Sequence, residues 1–300
     1  MRQRRRNASG PLARRILAAA FVALAAFGGA SAFAENLAFA DGAAATATTR
    51  PAANDDPYPK AAAAYLVTVN GAVLWQRAPE RPLPPASLTK IMTALVLLDD
   101  WQPGAVVRVS PRAAAATGSR LGLRAGEELR LVDAFDALLV ASANDACLAL
   151  AEHAAGGVEQ FVARMNAKAR ALALAATTFR NPCGLDEPGH LSTVRDLQRL
   201  ASRAMQSPEI ARAVALPAVE IRTLAGRALH KPTGNLLLGR VPGAIGIKTG
   251  YTHRAGKCLS ALVRRGRDEV SLVMLDAPDR WWTASILIDD AFAALDAARR

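Results

Sequence analysis

Ser87 and Lys90 lie three positions apart at the head of an apolar run, PPASLTKIMTALVLLDD, residues 84–100. Lysine is among the side chains least often buried without a partner. Followed by Ile-Met-Thr-Ala-Leu-Val-Leu-Leu, Lys90 needs a route to water or a chemical purpose. A helix brings positions i and i+3 onto one face, and Pro84-Pro85 mark a start just before Ser87. A neutral amine beside a hydroxyl can take its proton, activating a nucleophile too weak at its own pKa. Lysine suits that task where desolvation and nearby positive charge lower its pKa. The helix N-terminus also lends partial positive charge where an oxyanion forms. A capping serine followed by a snorkelling lysine is the bland alternative, and a lone Ser-x-x-Lys does not exclude it.

Two further stretches carry matching chemistry. Ser142-Ala143-Asn144-Asp145 falls between two helical patterns, so Ser142 and Asn144 can point from a short loop into a cleft. Lys248-Thr249-Gly250 ends a strand that begins near Gly246. A strand edge there can pair with an extended peptide, and Lys248 and Thr249 can then receive its carboxylate. Each has an ordinary alternative, a helix cap for Ser-x-Asn and a turn for Lys-Thr-Gly. Together and in this order they match the motif set of β-lactamases and penicillin-binding proteins, with Ser-Ala-Asn in place of Ser-Asp-Asn.

The elements that must position these residues follow from periodicity. AAYLVTVNGAVLWQR holds two short β runs around Asn70-Gly71, a strong hairpin signal. Residues 110–215 are mostly helical, in LVDAFDALLVAS, NDACLALAEHAAG, GVEQFVARMNAKARALAL and STVRDLQRLASRAMQ. Gly156-Gly157 reads as a stop for the second of these, and Ser192-Thr193 with Asp196 as a start for the last. AIGIKTG, GKCLSALVRRG and DEVSLVMLDAP are three β runs, the last two joined around Gly266, and a helix closes the chain. Strands joined by short turns pair antiparallel, so both ends of the chain must meet in one sheet with helices on its faces. The expected fold is α/β (α+β), an antiparallel sheet flanked by helices, beside a helical lobe.

Composition narrows the classes. The 300 residues are 51% hydrophobic, ample for a core, and carry a net charge of +11. Six arginines and no acidic residue fall in residues 1–34; without them 31 basic residues face 26 acidic ones, a mild excess with no basic stripe. Nucleic-acid binding is therefore a weak reading. Those residues form a charged n-region, the 12-residue apolar run ILAAAFVALAAF, and small-residue cleavage sites after Ala32 or Ala34. That is a signal peptide over 1–34, with an uncleaved N-terminal anchor as the alternative. An Ala-, Thr- and Pro-rich linker, 35–57, precedes the expected domain at 58–300. Three cysteines are too few for a disulfide scaffold, and Cys147 and Cys258 read as buried thiols. Four histidines lack paired ligand spacing, so neither a metal nor another cofactor is expected.

The chain resembles the D-alanyl-D-alanine carboxypeptidases, serine enzymes among the low-molecular-mass penicillin-binding proteins. The likeness runs from about Tyr65 to Phe292 through PPASLTKIMTALV, GSRLGLRAGEELRLVDAFDALLVASANDACLALAEHAAG, FVARMNAKARALAL, NPCGLDEPGHLSTVRDL and IGIKTGYTHRAGKCL. It implies a β-lactamase/transpeptidase-like fold, peptidoglycan stem peptides as substrate, and β-lactam antibiotics as covalent inhibitors. It also implies Ser87 as acylated nucleophile, Lys90 as general base and Ser142 as proton relay. Asn144 would position the substrate amide, and Lys248, Thr249 and Gly250 would line the carboxylate site. The backbone N–H groups of Ser87 and Tyr251 would form the oxyanion hole, and Arg280 would assist carboxylate binding unless it is a surface arginine. Larger relatives carry a second β-rich domain and a basic membrane-binding helix. The terminal helix here is acidic, with Asp289, Asp290 and Asp296, so no C-terminal membrane anchor is expected. Its Ile286, Phe292 and Leu295 are expected on the sheet.

A serine carboxypeptidase of the periplasm, or otherwise exported, follows as the main expectation. A DD-endopeptidase with the same residues is the close alternative. A β-lactamase is disfavoured because no Glu-x-x-x-Asn occurs between Ala146 and Leu191 to supply the deacylating base of class A enzymes. A non-catalytic penicillin sensor is disfavoured because binding alone needs no base beside a nucleophile.

Overall fold

A computed structural model describes residues 56–300; the expected signal peptide and nearly all of the expected linker lie outside them. In chain order the elements are β1 (Ala64–Val69), β2 (Ala72–Arg77), α1 (Lys90–Leu97), β3 (Val106–Arg108), α2 (Pro111–Ala114), β4 (Glu128–Arg130) and α3 (Leu131–Val140). There follow α4 (Asn144–Ala155), α5 (Val158–Ala171), α6 (Val194–Ala204), α7 (Pro208–Val214), β5 (Ala218–Arg222) and β6 (Ala228–Pro232). The chain ends with β7 (Ala244–Thr252), β8 (Gly256–Arg265), β9 (Asp268–Leu275) and α8 (Arg280–Ala298). The main sheet runs β2-β1-β9-β8-β7, every pair antiparallel, so the early hairpin β1-β2 joins the late strands where β1 pairs β9. This is the expected α+β architecture.

Period-two side-chain alternation divides the core. Tyr65, Val67 and Val69 of β1, with Val270, Leu272 and Met274 of β9, face α8 and pack on Ala284, Leu287, Ile288, Ala291 and Phe292. Burial of Leu287 or Ile288 there contributes roughly 2 kcal/mol each. Ala64, Leu66, Val273 and Leu275 face the other way, into the larger core that α1, α3 and α4 also fill. Phe292 is buried and Leu295 partly so, but Ile286 is 36% exposed, against expectation. The spacing of the helix turns Leu287 and Ile288 inward in its place.

Local signals explain some helix ends. Thr193 caps α6 by accepting from Asp196 N, and Gly156, at φ 73°, ends α4 in a left-handed turn that favours glycine. Two small two-stranded sheets, β3-β4 and the hairpin β5-β6, lie outside the expectations; their strands are too short to stand out. At the start of the described residues, the Asp56 carboxylate accepts from the Tyr65 hydroxyl at 2.5 Å and from Arg77 at 2.6 Å. Among the described residues no helix is long and apolar enough to cross a membrane.

A larger departure concerns the cysteines. Cys147 is not a free thiol: it is disulfide-bonded to Cys183, 36 positions away, while Cys258 is free and buried. Each sits in an ordinary apolar or loop context, so only tertiary proximity reveals the pair.

Candidate active site

Every residue of α1, from Lys90 to Leu97, is buried, as expected of a helix apolar on all sides. A 3-10 turn, Ala86–Thr89, precedes it and carries Ser87. The turn departs from the simple helix start expected, yet keeps Ser87 and Lys90 on one side, with Lys90 Nζ 3.0 Å from Ser87 Oγ. Ala86 enters the turn at φ 48°, a left-handed conformation costing a non-glycine residue about 1 kcal/mol or more. It is held by a relay: the Arg180 N–H donates to His190 Nδ1 at 3.1 Å, and Thr89 Oγ1 lies 2.8 Å from His190 Nε2. The Thr89 hydroxyl in turn donates to the Ala86 carbonyl at 2.8 Å. With Nδ1 accepting, Nε2 carries the proton of a neutral ring, and burial pushes the His190 pKa down to about 4.

The Lys90 amine also donates to Asn144 Oδ1 at 2.8 Å and to the Cys183 carbonyl at 2.7 Å. Burial holds its pKa well below the ordinary lysine value; the positive charge of Lys248 adds to this and Asp145 opposes it. A neutral amine at hydrogen-bond distance from a serine hydroxyl is competent as a general base. Asn144 is engaged at both ends of its amide, since Nδ2 donates to the Thr117 carbonyl at 2.6 Å. Ser142 adopts φ 55° in the bend before α4 and is half-buried. Its hydroxyl has no hydrogen bond to Ser87 or Lys90.

The opposite wall is β7, an edge strand of the main sheet. Its backbone passes so close to the Ser87 turn that a Cβ on Gly250 would lie 2.9 Å from Ser87 N. Lys248 is only 2% exposed, donates to the Thr249 carbonyl at 3.0 Å, and has its pKa lowered to about 7 by burial and by Arg280. Thr249 is half-buried and Tyr251 is 62% exposed at the rim. Arg280, the first residue of α8, donates to the Gly250 and Cys258 carbonyls at 2.7 and 2.9 Å and stacks on Trp281. It braces the end of β7 and is not a free surface side chain.

Three contributors escaped the sequence reading. Asp145 is fully buried, and its carboxylate accepts from the N–H groups of Leu121, Gly122 and Leu123 at 3.1, 2.8 and 3.0 Å. That fixes the loop whose Ser119 carbonyl accepts from Asn144 N at 2.7 Å. The second is the Cys183 carbonyl. The third is Gly184, where a Cβ would meet the Ala86 carbonyl oxygen at 1.9 Å. Asp145 adjoins Asn144 and Gly184 adjoins Cys183, so adjacency was the only available signal. A surface cavity of about 660 Å³ beside the β5-β6 hairpin, lined by Arg130, Asp133 and His230 among others, holds none of the site residues. No metal-binding cluster is present among the described residues.

Residues 50–279 match the family profile described as D-alanyl-D-alanine carboxypeptidase. The D-alanyl-D-alanine carboxypeptidase DacF of Bacillus subtilis is 35% identical over 212 residues, 69% of this chain and 54% of that protein. The chain thus spans about half the length of that relative. A D-alanyl-D-alanine endopeptidase of Pseudomonas aeruginosa is 35% identical over 216 residues, 69% of this chain and 68% of that one. Among solved structures, the Streptomyces K15 DD-transpeptidase superposes with a TM-score of 0.73 at 29% identity, covering 78% of this chain and 97% of that chain.

Proposed function

This chain belongs to the D-alanyl-D-alanine carboxypeptidase family, and from that premise we propose that it removes the terminal D-alanine from peptidoglycan stem peptides through an acyl-enzyme on Ser87. The observation that carries the proposal is the buried, charge-depleted Lys90 amine 3.0 Å from Ser87 Oγ. Lys90 takes the hydroxyl proton as Ser87 attacks the penultimate D-alanine carbonyl. The oxyanion forms between Ser87 N–H and the Tyr251 N–H of β7, in the narrow space that Gly250 leaves open. Ser142 passes a proton to the departing D-alanine amine, and water then hydrolyses the ester.

The terminal carboxylate sits on the Thr249 hydroxyl. Lys248 is too buried to reach it through water and supplies charge from beneath, while Arg280 orients the Gly250 backbone. Asn144 keeps the Lys90 amine aimed and can release its amide to the substrate backbone. β-Lactams would acylate the same serine. The signal-like N-terminus and the Cys147–Cys183 disulfide, a bond rare in reducing compartments, support an exported, periplasmic location.

D-Alanine release by the purified chain from a diacetyl-Lys-D-Ala-D-Ala peptide tests the reading. Wild type should release it and Ser87→Ala should not; equal release by both would end the assignment. The endopeptidase relative supports a second specificity on the same residues, cleavage of cross-links. A purified cross-linked dimer turned over faster than the pentapeptide would favour it.

A further inference from the structure

Two of the three oxygens around the Lys90 amine come from separate segments, Asn144 from the first turn of α4 and Cys183 from the stretch between α5 and α6. Cys147 stands one helical turn after Asn144, and its bond to Cys183 brings the two α-carbons to 6.0 Å. The two remote supports of the amine are thus covalently tied to each other.

The stretch 181–185 has reason to need a tie. It belongs to no helix or strand. The N–H groups of Cys183, Gly184 and Leu185 all donate to Asn181 Oδ1, at 3.2, 2.8 and 3.0 Å, so the turn closes on itself and pairs with no neighbouring strand. Its polar attachment to α1 is the Thr93 hydroxyl on the Pro182 carbonyl, at 2.5 Å, beside the Lys90 contact itself. Segments outside the hydrogen-bonded ladders open most readily. Displacement here would withdraw the Cys183 carbonyl, free the Asn144 turn and admit water to the amine.

We propose that the Cys147–Cys183 disulfide is a positioning device for the general base: intact, it holds the Lys90 amine dry and aimed at Ser87, and reduction slows acylation without weakening recognition of the substrate carboxylate. The inference rests on the assignment of Lys90 as base. Carboxylate recognition is spared because Thr249 and Lys248 lie on β7, which the disulfide does not touch; Asn144, which the disulfide does support, is the one substrate contact that loosens with the base. Reduction by a dithiol breaks the S–S bond, leaves thiols on Cys147 and Cys183, and converts the reagent to its cyclic disulfide. Cys258 lies apart, buried near the carbonyls of Pro84, Ala255 and Gly256.

The test compares oxidised full-length protein with the same protein reduced by dithiothreitol, and with Cys147→Ala and Cys183→Ala, at a temperature where circular dichroism shows all of them folded. Labelled-penicillin acylation of Ser87 and kcat and KM for D-alanine release are measured. Acylation and kcat are expected to fall about tenfold, KM to change less than twofold, and reoxidation of the reduced protein to restore the rate. The alanine variants should be slow with or without dithiol. An unchanged acylation rate in folded, reduced protein would overturn the proposal, as would a loss confined to KM. If the variants do not fold, the reduced wild type decides alone. Failure of the carboxypeptidase reading shows separately, as no D-alanine release from oxidised protein, while the penicillin ratio still reports on the disulfide.

Discussion

Two buried lysines with lowered pKa values give the site opposite demands. In the proposed mechanism Lys90 must be neutral to accept the Ser87 proton, whereas Lys248 must be charged to attract a carboxylate. The profile of kcat/KM against pH should therefore be bell-shaped. Its acid side falls as Lys90 protonates, and its alkaline side falls from about 7 as Lys248 loses its proton. A profile flat from pH 5 to 9 would remove Lys90 from its role. The same burial costs stability. The folded-state pKa of Lys248 lies below its unfolded value of 10.5, so the unfolded chain binds the extra proton between about 7 and 10.5. Stability from this group is complete above that window and lost as pH falls to about 7. Lys248→Met should then raise the unfolding free energy at pH 7 by about 2 kcal/mol, with a gain that shrinks toward pH 10. His190 has the same sign in a lower window, its pKa down from 6.5 to about 4. Denaturant titrations between pH 6.5 and 4 should show wild type losing roughly 3 kcal/mol that His190→Gln does not lose.

Elements whose residues repeat with a clean period were legible in the sequence. The Asn70-Gly71 hairpin, the three long strands of the last third, α3 to α6 and α8 all form where alternation or helical spacing places them. Site residues on such elements were legible for the same reason: Lys90 follows Ser87 by three positions, and Lys248 lies on a strand, although β7 runs on past the expected end at Gly250 to Thr252. What stayed hidden depends on pairs far apart in sequence. Nothing near Cys147 or Cys183 specifies the partner. Arg280 reads as a helix start until the sheet brings the Gly250 and Cys258 carbonyls to its guanidinium. The β5-β6 hairpin does alternate, with Val219 and Ile221 buried between exposed Glu220 and Arg222, but each strand is only five residues long, too short a run to stand out. Close backbone approach was equally invisible. Gly250→Ala should cut penicillin acylation more than tenfold while secondary structure persists, because the new Cβ meets Ser87 N at 2.9 Å. Gly184→Ala, forced to φ 81° against the Ala86 carbonyl, should cost about 2 kcal/mol of stability as well.

Across the whole molecule, the sheet and the helical core meet at one line, where β7 runs past the turn that opens α1. In the described residues the sheet joins the early hairpin β1-β2 to the late strands β7 to β9, and β1 pairing with β9 closes it. The site thus depends on contacts among the most distant in the sequence, such as Tyr65 with Met274. Weakening that pairing should lower activity and stability together. Loosening the rim should affect activity alone.

The two glycines flanking Ser87 also bear on how this enzyme could escape antibiotics. Gly184 on one side and Gly250 on the other leave no volume beside the nucleophile for a bulkier residue. Resistance by steric exclusion is closed at the centre and open at the margin, where Leu185, next to Gly184, and Tyr251, next to Gly250, are exposed. A library selected for loss of penicillin labelling with retained D-alanine release should return changes at that margin and none at 84–90.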